Sequence, residues 1–117
     1  LGNIYYNSKN WAGVRDTWEK SLALEPDNAQ ILNNLAWHYA TCEDERFQDP
    51  ARALAMAKLA IRLERLPHVW DTLAESYYVN GMYREALEAG KQALALAGKK
   101  RIYYEDQLEK FSNAAGN

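Results

Sequence analysis

The residues that could do chemistry in this chain are two histidines, one cysteine and a short run of carboxylates. An imidazole acting as general base, or as a metal ligand, needs partners at hydrogen-bond or coordination spacing. His38 and His68 lie far apart in the chain. Neither belongs to an H-E-x-x-H pair, and there is no glycine-rich phosphate loop and no G-x-S-x-G. His68 follows Pro67 at a helix start, and His38 lies beside the apolar Leu35 and Tyr39, so both read as solvent-facing flank positions. Cys42 is alone, which leaves no internal disulfide and no cysteine-rich metal site. Its neighbours Glu43, Asp44 and Glu45 disfavour a thiolate. That acidic triplet lacks the alternating oxygen ligands and the glycine of a calcium loop, so it reads as a solvated loop. These residues point to no catalysis, no cofactor and no metal, and shift attention to the surface.

Composition narrows the surface chemistry. The chain has 117 residues, enough for one domain, with 48% hydrophobic and 26% charged residues, as in an ordinary globular protein. Eight tyrosines and four tryptophans stand against two phenylalanines. Such amphipathic rings suit seams between helices and peptide-contacting surfaces equally. The formal net charge is -2 and the pI about 5.7, whereas a nucleic-acid binder usually carries a basic stripe and a pI above about 9. The one contiguous basic run, Lys99-Lys100-Arg101, follows an expected helix end, where cations complement the helix dipole. No apolar run approaches the ~20 residues that span a bilayer, and no signal peptide is visible. The expectation is therefore a soluble segment, with no nucleic-acid partner and no membrane insertion, cytoplasmic or periplasmic. Leu1 is not a native start, so the chain reads as a piece of something longer.

Any surface site must be held by helices. Across residues 70–98, Trp70, Leu73, Ala74, Tyr77 and Tyr78 fall on one helical face. After Asn80-Gly81 the pattern restarts with Tyr83, Ala86, Leu87, Gly90, Ala93, Leu94 and Ala97. Gly81 supplies the left-handed turn between the two helices. Upstream, helices are expected over 11–24 (capped by Asn10), 29–42 (capped at Asp27-Asn28) and 50–64 (opened by Asp49-Pro50). Pro67 opens the next. Tyr104, Leu108 and Phe111 keep an apolar edge over 102–112, while Glu105, Asp106, Glu109 and Lys110 face water, and residues 113–117 should fray. Mid-helix Gly90 calls for a close helix approach, near Tyr103 or Tyr104 of that last helix.

The run Trp70-x-x-Leu73-Ala74-x-x-Tyr77, then Gly81, Tyr83, Ala86 and Ala93-Leu94, resembles the tetratricopeptide repeat, a 34-residue helix–turn–helix unit. Ala74 replaces the usual glycine, and Gly90 the usual aromatic. Leu1-Gly2-x-x-Tyr5 with Trp11, Val14, Trp18, Ser21-Leu22 and Pro26 repeats the pattern, as do Leu32, Leu35, Ala36 and Tyr39. From Leu1 to Leu35 is one 34-residue period, while Leu35 to Leu73 is four residues longer. The surplus falls in 43–49 and is similar to an expanded repeat of bacterial multi-repeat proteins. The resemblance implies an all-α right-handed superhelix: a partial repeat over 1–28, an expanded repeat over 29–66, a repeat over 67–100, and a capping helix with its tail over 101–117.

The family's first helices line a concave groove that holds peptides. In that register the groove side carries Asn3, Tyr6 and Asn7, then Gln30, Asn33, Asn34, Trp37 and Thr41, then His68, Asp71, Thr72, Glu75 and Tyr78. Amide side chains donate and accept, and so pair with a peptide backbone of any sequence. Tyr6, Trp37 and Tyr78 either offer flat apolar area or cover helix seams. One branch of the family clamps the C-terminal carboxylate of chaperones. Asn3 and Asn34 occupy its two asparagine places, but His68 and Thr72 stand where it has Lys and Arg, so the clamp is incomplete. Asp71 and Glu75 instead make one end of the groove acidic, which favours a basic or neutral ligand segment. The resemblance implies a protein–protein interaction module of a larger protein. The alternative is a structural spacer or self-association module without a peptide ligand, in which the truncated N-terminal end favours dimers.

Overall fold

Local chemistry at each chain break sets where the helices begin. In the computed structural model, which describes residues 10–116, the side chain of Asn10 accepts a hydrogen bond from the Gly13 N–H at 3.0 Å and starts α1, Trp11–Leu24. Asn28 accepts from the Ile31 N–H at 3.1 Å and starts α2, Ala29–Thr41. Asp49 accepts from the Arg52 N–H at 3.2 Å, with Pro50 in the first turn of α3, Pro50–Leu63. Each cap satisfies an amide that has no carbonyl partner within its helix. α4, Pro67–Val79, opens on proline without a side-chain cap. Gly81, at φ 75°, turns the chain into α5, Tyr83–Ala95. A 3₁₀ turn at Gly98–Lys100 leads into α6, Arg101–Ala114, and another spans Glu45–Phe47. No strand occurs among the described residues. The expected N-terminal stub, with Asn3, Tyr6 and Asn7, lies outside them.

The apolar faces read from the sequence meet in one continuous core. α2 pairs with α3 and α4 with α5, α2 also packs on α4, and α6 lies along α5. Leu35, Ala36, Ala53, Ala57, Ala60, Ala74 and Ala86 are fully buried in this cluster. So many alanines let helix backbones approach closely, and larger side chains such as Leu32, Met56 and Leu73 fill what remains. Trp70 is half-buried, packed against both this cluster and a smaller one of Ala93, Ala97 and Tyr104.

Three expectations need correcting. His38 is not solvent-facing: it is 1% exposed. The last helix, expected over 102–112, runs two residues further, to Ala114. Gly90 does meet the last helix, but through other residues than Tyr103 or Tyr104. A Cβ at Gly90 would lie 2.9 Å from Phe111 Cδ2 and 3.4 Å from Leu108 Cδ1. The absent side chain is the space into which Phe111, itself fully buried, fits.

Candidate functional site

On the face of α2 that the register assigns to the groove, most side chains keep some exposure. Gln30 is exposed and donates through Nε2 to Asn34 Oδ1 at 3.3 Å, one helical turn on. Asn34, Trp37 and Thr41 are half-buried, and the Thr41 hydroxyl donates to the Trp37 carbonyl at 2.7 Å. This helix therefore presents an amide pair, an indole edge and a capped hydroxyl. Asn33 differs: it is buried, and its Oδ1 meets no hydrogen-bond donor among the described residues.

The groove side of α4 is closed. Asp71 and Glu75, expected as an open acidic edge, are 4% and 5% exposed. Asp71 accepts from the Tyr103 hydroxyl at 2.8 Å and from Gln107 Nε2 at 3.0 Å. Glu75 accepts from the same Gln107 nitrogen at 2.9 Å and pairs with the Lys110 ammonium. Tyr103, Gln107 and Lys110 stand on successive turns of α6, so one face of that helix covers both carboxylates. Burial raises the Asp71 carboxyl above the ordinary aspartate range, against the pull of Gln107 and Tyr103. Burial and the Asp71 hydrogen bond likewise raise the Tyr103 phenol. Thr72 is also buried and donates to the His68 carbonyl at 3.0 Å, while His68 is exposed. Tyr78 is half-buried beside the Phe111 and Tyr83 rings, with the Lys110 ammonium 4.9 Å from its ring centre.

Sequence reasoning missed the α6 residues that close this end. The signal was present, in donors at 103, 107 and 110 facing carboxylates at 71 and 75. Lys110 had been assigned to the wet face of the helix.

Residues 43–49 build a second feature. Asp44 caps the 3₁₀ turn and pairs with Arg46 at 2.7 Å. Phe47 then sits with the guanidinium carbons of Arg15 and Arg46 at 5.3 and 5.8 Å from its ring centre. A notch of about 340 Å³ lies between α1, this turn and α3. Below it the Tyr39 hydroxyl donates to Glu19, which also pairs with Arg52 at 2.9 Å. Burial, then that bond, raises the Tyr39 phenol.

Neither histidine nor the cysteine is set up for chemistry. Burial, with the nearby Arg15 cation, lowers His38 below the ordinary histidine range and keeps it neutral near pH 7. Burial raises the Cys42 thiol; a backbone hydrogen bond from Asp44 opposes the shift, and the Asp44 and Glu43 charges add to it. No group of three or more His, Cys, Asp or Glu gathers to hold a metal among the described residues. No helix among them is long and apolar enough to cross a membrane.

Comparison with known proteins places this arrangement. A model of the tetratricopeptide repeat matches residues 67–100. Curated protein sequences gave no match. Among solved structures, the chain is similar to the first tetratricopeptide-repeat domain of the human RPAP3 protein, at TM-score 0.81 and 22% identity, covering 97% of this chain and 86% of that one. It is similar also to the first such domain of Spaghetti (RPAP3) bound to the HSP90 peptide SRMEEVD, at TM-score 0.81 and 21% identity, covering 99% of this chain and 88% of that one. Residues 67–100 are therefore a tetratricopeptide repeat, and the chain has the all-α superhelical fold of the tetratricopeptide-repeat family.

Proposed function

We propose that this chain is a protein–protein interaction module that holds a peptide or partner segment in its concave groove, without catalysis of its own. The observation that carries this reading is the contrast along the groove. Gln30, Asn34, Trp37 and Thr41 are accessible on α2, while the matching side of α4 is sealed by α6. The peptide-bound state of the Spaghetti domain, which shares the fold, supports groove binding. Asn3, Tyr6 and Asn7, outside the described residues, are assigned to the same surface by register alone. Repeats over 1–28, 29–66 and 67–100, the second expanded and of bacterial multi-repeat type, and a cap over 101–117 complete the proposed organisation.

The ligand chemistry follows from what is exposed. Amides bind backbone without regard to side chain, and a half-buried indole is a low-entropy anchor for an apolar residue. Thr72 and His68 supply no fixed cation. Asp71 and Glu75 are both buried beneath α6, Asp71 on the neutral donors Tyr103 and Gln107 and Glu75 on Lys110, so neither carboxylate is offered to a ligand. The groove therefore suits a neutral extended segment with one apolar anchor rather than an acidic terminus. A peptide array probed with the parent chain and with Asn34→Ala and Trp37→Ala tests this. Selected peptides should lose about tenfold or more in affinity in each variant. Unchanged binding in both would sink the assignment of the groove.

A further inference from the structure

The outer face of α3, away from the groove, carries a feature that peptide binding on α2 does not use. Leu59, Leu63 and Leu66 are 48%, 49% and 45% exposed. Leu59 and Leu63 stand one turn apart on α3, and Leu66 follows in the extended segment that leaves it. Next to each of them in the chain stands an exposed cation, Lys58, Arg62 and Arg65, against the single carboxylate Glu64. Neither Arg62 nor Arg65 is in an ion pair among the described residues, whereas Arg15, Arg46, Arg52 and Arg101 each are. In a chain with net charge -2, three cations against one carboxylate, with Lys58 set 5.8 Å from the Tyr77 ring centre, are a local departure. Half-exposed leucines beside them are an apolar cost that solvent does not offset.

We propose that this strip docks an acidic amphipathic helix of a partner protein. Leu59 and Leu63, one turn apart, match the apolar anchors of a helix laid alongside, with contacts recurring every three or four residues, and Leu66 extends the apolar strip past the helix end. Lys58, Arg62 and Arg65 flank those anchors, so they select carboxylates on the partner and steer its approach. A phosphate backbone has no use for the leucines. A lipid surface asks for protruding apolar side chains, whereas these three keep about half of their area against the protein. The strip shares no residue with the amides and Trp37 of α2, so its binding should be separable from that of the groove.

The test uses a fluorescein-labelled synthetic helix about four turns long, with leucines on one face flanked by glutamates, and a twin in which lysines replace the glutamates. The acidic helix should bind the parent chain, weaken about tenfold or more between about 50 and 500 mM salt, and weaken similarly in the Arg62→Glu, Arg65→Glu double variant. Trp37→Ala should leave it unchanged. Circular dichroism checks that the variants are folded, and Leu63→Gln provides a second, uncharged disruption that should also weaken binding. Equal binding of the two helices, no binding of the acidic one, or loss of binding in Trp37→Ala would overturn the proposal. So would failure of the acidic helix alongside self-association, or adsorption to anionic vesicles, that the double variant abolishes. Those outcomes would assign the strip to a second copy or to lipid.

Discussion

α2 and α4 take corresponding places in the array, yet their groove sides have opposite fates. On α2 the residues there are amides, an indole and a hydroxyl, and water reaches most of them. On α4 the corresponding turns carry Asp71 and Glu75, which are buried beneath Tyr103, Gln107 and Lys110 of α6. Charged residues do not make a groove charged when a neighbouring helix brings their partners. The side that looked the more reactive in sequence is structural, and the blander one is available.

The comparison breaks most sharply at Phe111. Phe111→Ala removes a fully buried ring and should cost about 3–5 kcal/mol, read by urea unfolding. If α6 is what closes the α4 side, amide exchange should rise along α6 and around residues 71–75 while α2 stays protected. A loss below about 1 kcal/mol would mean that α6 is not docked as described. Lys110→Ala comes next. It leaves Glu75 buried without its cation, but the Lys110 side chain is 38% exposed, so the cost should be about 1–2 kcal/mol rather than that of a wholly buried pair. Gln30→Ala on the open side should stay within about 0.5 kcal/mol. Equal costs at the two sites would erase the distinction.

The smallest effect is a pH dependence. Burial raises the folded carboxyl of Asp71 above its unfolded value, so its contribution to stability is fully present below the ordinary aspartate range, about pH 4. It is lost as pH climbs through the raised value. Asp71→Asn should flatten that part of the stability profile and change stability at neutral pH by less than about 1 kcal/mol. Urea unfolding across about pH 4–7 checks it. An unaltered slope would mean that the buried carboxylate is not its source.

How much of this was legible in advance depends on how local the physics is. Asn10, Asn28, Asp49-Pro50 and Gly81 marked helix ends correctly because capping and left-handed turns are decided within a few residues. Gly90 announced a close approach for the same reason, since a glycine in mid-helix needs one. What it met was not legible: periodicity along the last helix gives a face but not an axial position, and Phe111 rather than Tyr103 or Tyr104 fills the space. His38 was misread because a flank position on a helical wheel does not show what tertiary packing will cover, and it is 1% exposed. Asp71 and Glu75 were misplaced because carboxylates one turn apart look exposed until a third helix is set over them. The basic strip at the end of α3 escaped a search for contiguous cations, since Lys58 and Arg62 become neighbours only once wound into a helix and Arg65 follows just past its end.

The pairing of Gly90 with Phe111 has a further consequence for how the chain tolerates change. A ring that fits only where a side chain is missing gives α6 a single stop along α5. Sliding by one turn would drive Phe111 against a neighbour that has a Cβ. The number of residues in the Gly98–Lys100 turn is then a measured length, like the bitting of a key. A residue inserted or deleted there would misalign Phe111, and with it all three donors that cover Asp71 and Glu75, in one stroke.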